Sequence, residues 1–150
     1  MNRQEIGAEY FTSGYNCAQA VVLAFKDLIN VDENTLIKIA APFGGGFSRM
    51  REVCGAVSGM TMVMGLLYSQ LEVNHETKTD IYIKTQEVIR KFEEENGSIV
   101  CRDLLGLNTK HENPEPDART QNYYKKRPCK ELVCMAIGYL EDYINTHPYK

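Results

Sequence analysis

The 150-residue chain contains no Cys-x-x-Cys pair, no surplus of basic charge, and no apolar run of the roughly 18 residues that a membrane helix needs. Each absence removes a class of function. Without Cys-x-x-Cys there is no local signature of thioredoxin chemistry or of a zinc knuckle, and without Cys-x-x-Cys-His covalent haem attachment is unsupported. The 17 basic and 20 acidic side chains give a formal net charge of −3 and are spread along the chain, so no nucleic-acid partner is expected. The opening MNRQEIGAEYF lacks the apolar core of a signal peptide, so the expected location is the cytoplasm, with no membrane insertion. His75, His111 and His147 lie in or beside polar loops without His-x-x-x-His spacing and read as solvated. Internal repeats and low-complexity segments are missing too.

Strand signals are also lacking. Helical periodicity dominates, and the composition, 43% hydrophobic and 25% charged, suits a single domain over residues 1–150 with one core. The expected fold is all-α, a bundle of five to seven helices around a central apolar one. A first helix runs from about Arg3 to Phe11. A second opens at Asn16 as N-cap and carries Cys17, Val21, Phe25 and Leu28 on one stripe. A third ends near Ala41, because Pro42 disfavours helical geometry in the residue before it. After the Gly44-Gly45-Gly46 loop, the segment from about Met50 to Leu71 is apolar nearly all round and is the expected central helix. A long amphipathic helix follows from about Glu76 to Asn96, with Ile81, Val88, Ile89 and Phe92 inward and Gly97 as its stop. Ser98 caps a short CRDLL helix, residues 107 to 122 read as one long polar loop, and the last helix starts near Pro128.

What the chain does have is five cysteines: Cys17, Cys54, Cys101, Cys129 and Cys134. In a reducing compartment such thiols pack, bind metal or cycle through redox states more often than they form structural disulfides. On the helix map, Cys17, Cys54, Cys101 and Cys129 all fall in first or second turns, where free N–H groups and partial positive charge stabilise a thiolate. Cys134 lies a turn further in and reads as a bystander. Cys54 draws the most attention. It is framed by glycines in FGGGFSRMREVCGAVSG, and Arg49 and Arg51 stand nearby, so it is the expected nucleophile. Gly55 and Gly59, four apart with Ala56 adjacent, let a neighbouring helix approach closely enough to bring a second thiol within disulfide range. Of the connectivities open to four cysteines, Cys17 with Cys54 is the one favoured. Gly44, Gly45 and Gly46 could cradle a phosphate, but the Gly-Lys-[Ser/Thr] of a P-loop and its preceding strand are missing. The tyrosine-rich NYYKKRP near residue 123 either docks a partner or folds over the last helix.

Read in order, Cys17, FGGG, CGAVSG, CRDLLG and Cys129 resemble the C_GCAxxG_C_C family of redox-active proteins over nearly the whole chain. The resemblance implies four characteristic cysteines, here Cys17, Cys54, Cys101 and Cys129, and a redox role. Two positions depart from it: Arg51 stands where many members carry glycine, and Cys134 is additional.

Three classes of function follow. The first is thiol–disulfide redox chemistry with an unidentified redox partner or substrate. The second is a metal ion or iron–sulfur cluster module, with Cys17, Cys54, Cys101 and Cys129 as ligands. The third is a non-catalytic helical interaction domain. A face of the central helix carrying Met60 and Met64 could support a homodimer.

Overall fold

The computed structural model describes residues 1–108 and 111–149 and is all-α, with an isolated antiparallel bridge between Val53 and Val100 in place of any strand among the described residues. Eight helices are present among these residues: α1 (Arg3–Thr12), α2 (Cys17–Ala24), α3 (Glu33–Ala40), α4 (Gly55–Tyr68), α5 (His75–Asn96), α6 (Cys101–Leu104), α7 (Gln121–Lys126) and α8 (Cys129–Thr146). The eighth, unexpected from sequence, is the short α7, which opens inside NYYKKRP and its preceding polar stretch.

Asparagine caps set several starts. The side chains of Asn2, Asn16 and Asn74 each accept a hydrogen bond from the backbone N–H of the third residue of the helix that follows, whose side chain accepts one from the cap's backbone N–H. At Asn16 this fixes where α2 begins and so where Cys17 stands. The same asparagine donates from Nδ2 to the Ala41 carbonyl, 2.9 Å, tying that start to the end of α3. Gly97, with φ 82°, ends α5 in the left-handed conformation expected of a glycine stop.

The most enclosed helix is α2, buried at every position but Gln19 and packed against α1, α3, α4 and α8. The segment expected to be central, α4, lies on it, buried all round from Gly55 to Met60 and with Thr61 and Leu66 exposed further along. Met60 and Met64 are fully buried within the core, so the face expected to support a homodimer is interior. Phe11, Phe25 and Phe92 are also fully enclosed, each stabilising the fold by about 1.5–3 kcal/mol of apolar burial. On α5, Val88 and Phe92 are buried while Ile81 and Ile89 pack at the core's margin. No helix among the described residues is long and apolar enough to cross a membrane.

The segment between α3 and α4 does the most to shape the site. A short 3-10 turn over Ala41–Phe43 leads into five consecutive residues with positive φ, Gly45 (67°), Gly46 (69°), Phe47 (62°), Ser48 (53°) and Arg49 (66°). They form a left-handed turn. Left-handed geometry costs roughly 1–2 kcal/mol per non-glycine residue, so glycines at its first two positions lower the cost of entering it. Arg51 also has positive φ, 58°, which accounts for glycine being well suited to that position. The turn closes on itself: the N–H groups of Arg49, Arg51 and Glu52 donate to the carbonyls of Gly44, Gly45 and Gly46, at 3.3, 3.2 and 3.0 Å.

Candidate functional site

Cys17, Cys54, Cys101 and Cys129 all line one cavity of about 390 Å³; Cys134 does not. Four separate pieces of backbone bring them there. Cys17 and Cys129 open α2 and α8, Cys54 is the N-cap of α4, and Cys101 opens the single-turn α6.

The glycines set the spacing. A Cβ on Gly59 would lie 2.8 Å from the Ala18 carbonyl oxygen, and one on Gly55 would lie 3.0 Å from Cys17 Cβ, so α2 and α4 pack backbone to backbone only because side chains are missing there. Ala56, fully buried between them, keeps the same contact narrow. Gly46 does the same for α6: its Cβ would fall 2.6 Å from Cys101 Cβ. Gly44 abuts the Asn16 side chain, and Gly45 abuts the stem of Arg49.

A short antiparallel clasp joins the two remaining thiols to the turn. Cys54 N–H donates to the Ile99 carbonyl at 2.7 Å and Cys101 N–H donates to the Glu52 carbonyl at 2.6 Å. The expected cap residue of α6 acts one step earlier: the N-cap is Val100, and Ser98 Oγ accepts from Val100 N–H and donates to Asp103.

The four thiols differ sharply in character. The neighbouring Cys17 thiol, with the Tyr123 hydroxyl and the charges of Arg127 and Arg51, outweighs burial and holds Cys129 down to about 7. Cys17 is correspondingly held well up by Cys129 and by burial, so it keeps its proton. Burial pushes Cys54 up to about 12, against the first-turn N–H groups of Ala56 and Val57. Cys101 is also raised by burial, opposed by Arg51, whose Nη1 lies 3.5 Å from its sulfur.

The surroundings of Cys54 differ from those expected. The arginines expected to serve Cys54 are engaged elsewhere: Arg51 with Cys101 and Glu112, and Arg49 with Asp117 and the Asn113 carbonyl. The helix approach expected at Gly55 and Gly59 is present, and Cys129 acts on the Cys17 thiol more strongly than Cys54 does. Cys134 sits apart, its sulfur 3.6 Å from the Gln4 carbonyl oxygen.

Several cavity residues were not among the candidates read from sequence. Tyr123 lines the cavity with Cys129 at the start of α8 and packs against the core, as the intramolecular reading of NYYKKRP has it. Arg119 donates to the carbonyls of Phe11 and Tyr15, with its guanidinium 4.0 Å from the centre of the Phe11 ring. Arg127 lies 3.4 Å from Asp117. Arg127 directly precedes Pro128-Cys129, a proximity visible in sequence; Arg119 carried no local signal. His147, expected in solvent, stacks on Tyr143 with ring centroids 3.9 Å apart. Among the described residues, no three histidine, cysteine, aspartate or glutamate side chains come close enough to share one metal ion.

Residues 15–143 match the family model described as "Putative redox-active protein (C_GCAxxG_C_C)". The chain belongs to this family. The matched span takes in all four cavity cysteines. An uncharacterized protein of Archaeoglobus fulgidus is 30% identical over 131 residues, an alignment covering 81% of this chain and 80% of that relative. No solved structure matches the chain.

Proposed function

We propose that this C_GCAxxG_C_C protein is a thiol–disulfide oxidoreductase in which Cys129 is the nucleophile and Cys17 the resolving thiol. The observation that carries the reading is the convergence in one cavity of two helix-start cysteines, Cys17 and Cys129, with Tyr123, Arg51 and Arg127, surroundings that lower Cys129 to about 7. A thiolate stabilised in this way is the form that attacks a disulfide, and an apparent value near ambient pH is close to optimal for the attacking thiol.

In this reading the Cys129 thiolate bonds one sulfur of a substrate disulfide, whose other half leaves as a thiolate. The Cys17 proton passes to that leaving group, and the Cys17 sulfur then attacks Cys129, releasing the second half. Two electrons move from the cysteine pair to the substrate. Cys54 and Cys101, held up by burial, remain thiols and form the enclosed side of the cavity.

Peptide mapping after mild oxidation tests this. The expected product is a Cys17–Cys129 disulfide with two thiols lost, and a Cys54 linkage to Cys17 would overturn the role assignment. Iron and acid-labile sulfide retained in stoichiometric amount by anaerobically prepared protein would place the chain in the cluster-binding class instead.

A further inference from the structure

We propose that the cavity selects small disulfides carrying carboxylate or similarly anionic groups, an inference that rests on the thiol–disulfide reading above. The lining of the cavity carries four guanidinium groups, Arg49, Arg51, Arg119 and Arg127, against one carboxylate, Asp117. Glu112, just behind the wall, is paired with Arg51 at 2.5 Å. Asp117 is shared between Arg49 at 3.3 Å and Arg127 at 3.4 Å. Four cations thus meet two anions, and a surplus remains even when Cys129 is a thiolate.

Arg119 makes the surplus local. Its partners are two backbone carbonyls and two aromatic faces, Phe11 and Tyr123, and it forms no ion pair among the described residues. Arg119, Tyr123 and Cys129 line the same cavity, with the Arg119 guanidinium 5.8 Å from the centre of the Tyr123 ring, so this uncompensated charge shares the space of the proposed nucleophile. A guanidinium presents donors in a planar fork that suits a carboxylate. Phe11, Leu104, Leu105 and Leu132 supply apolar wall for the ligand's carbon stem. A neutral disulfide would use only that wall, and a cationic one would add to the existing repulsion. The cavity's volume fits a small molecule rather than a protein loop.

The balanced step is R–S–S–R plus two cysteine thiols giving two R–SH and the Cys17–Cys129 disulfide, with R anionic. The anionic leaving thiolate departs from a positive site, so the arginines act on recognition and on the charge that develops in the exchange.

Three disulfides of similar size test the inference: dithiodipropionate, hydroxyethyl disulfide and cystamine, which differ in charge from negative through neutral to positive. Each rate with the fully reduced protein is divided by its rate with mercaptoethanol, which removes intrinsic reactivity. The expected order is anionic, neutral, cationic, with at least about tenfold between the ends, narrowing as salt rises. Arg119→Gln should slow the anionic probe severalfold more than the neutral one, and Arg119→Lys should restore part of that difference. Should Arg119→Gln fail to fold, the salt dependence of the unaltered protein still decides the matter. Equal normalised rates with Cys17–Cys129 formed by every probe would overturn the charge selection and leave the thiol reading standing. If no probe forms that disulfide, the thiol reading itself fails.

Discussion

The two sides of the cavity hold the same chemical group in opposite conditions. Cys129 and Cys17, at the starts of α8 and α2, shift each other's titration in opposite directions, and Cys129 is also reached by Tyr123 and by the charges of Arg127 and Arg51. Cys54 and Cys101, clasped to each other's segments by backbone hydrogen bonds, are dominated by burial. All four occupy helix starts. Position at a helix N-terminus is therefore not enough to make a thiolate, because desolvation outweighs the terminal N–H groups unless a further donor reaches the sulfur.

The largest expected effect is in alkylation. With values of about 7 and about 12, Cys129 is substantially ionised at neutral pH and Cys54 scarcely at all, so even after the lower intrinsic nucleophilicity of the more acidic thiolate Cys129 should be labelled about a hundredfold faster. The sign is fixed by its lowered value: the rate rises with pH through about 7 and levels above it, and falls about tenfold per unit below. The groups facing Cys129 in that window are Cys17, Tyr123, Arg127 and Arg51, none of which changes charge near pH 7. Competition labelling with mass-spectrometric readout checks this, and Cys134→Ser should leave the profile unchanged. Cys54 reacting first would reverse the comparison between the two sides.

A smaller effect is expected from Tyr123→Phe, which deletes one donor to a charged acceptor. Such a bond contributes about 1.5 kcal/mol, so the midpoint for Cys129 should rise by about one unit and labelling at pH 6 should slow by nearly tenfold. Cys54 should not respond. The pH dependence of alkylation in the two proteins measures both.

The smallest effect on Cys129 is expected from Gly46→Ala, which acts on the other side. The new Cβ meets Cys101 Cβ at 2.6 Å and Glu52 N at 2.8 Å, in a residue with φ 69°. Thermal or denaturant unfolding should show a loss of about 1–3 kcal/mol, while the Cys129 midpoint stays near its original value. A shift of that midpoint by a full unit would mean that the two sides are coupled rather than separate.

Much of the framework was legible along the chain. The Asn16 cap, the Gly97 stop and the apolar spacing of α5 and α8 are local matters, set by a few neighbouring residues and the helical period, and they appear where periodicity and capping chemistry put them. The Gly55 and Gly59 face was legible for the same reason, since close helix approach requires small residues four apart. The left-handed turn was not. Glycines announced a loop, but Phe47, Ser48 and Arg49 with positive φ are specified by the clasp between residues 51–54 and 99–102, which sequence separation conceals.

The sequence by itself determined an all-α chain with four cysteines at helix starts and small residues where two helices must touch, because capping, periodicity and side-chain size act over a turn or two. Only the tertiary structure decided which thiol is ionised and what surrounds it. Burial, the reach of Tyr123 across the start of α8, and the convergence of Arg49, Arg51, Arg119 and Arg127 on one cavity depend on contacts between residues up to about a hundred positions apart, as between Phe11 and Arg119. The balance between desolvation and hydrogen bonding that sets a thiol's charge exists only once those distant parts are packed together.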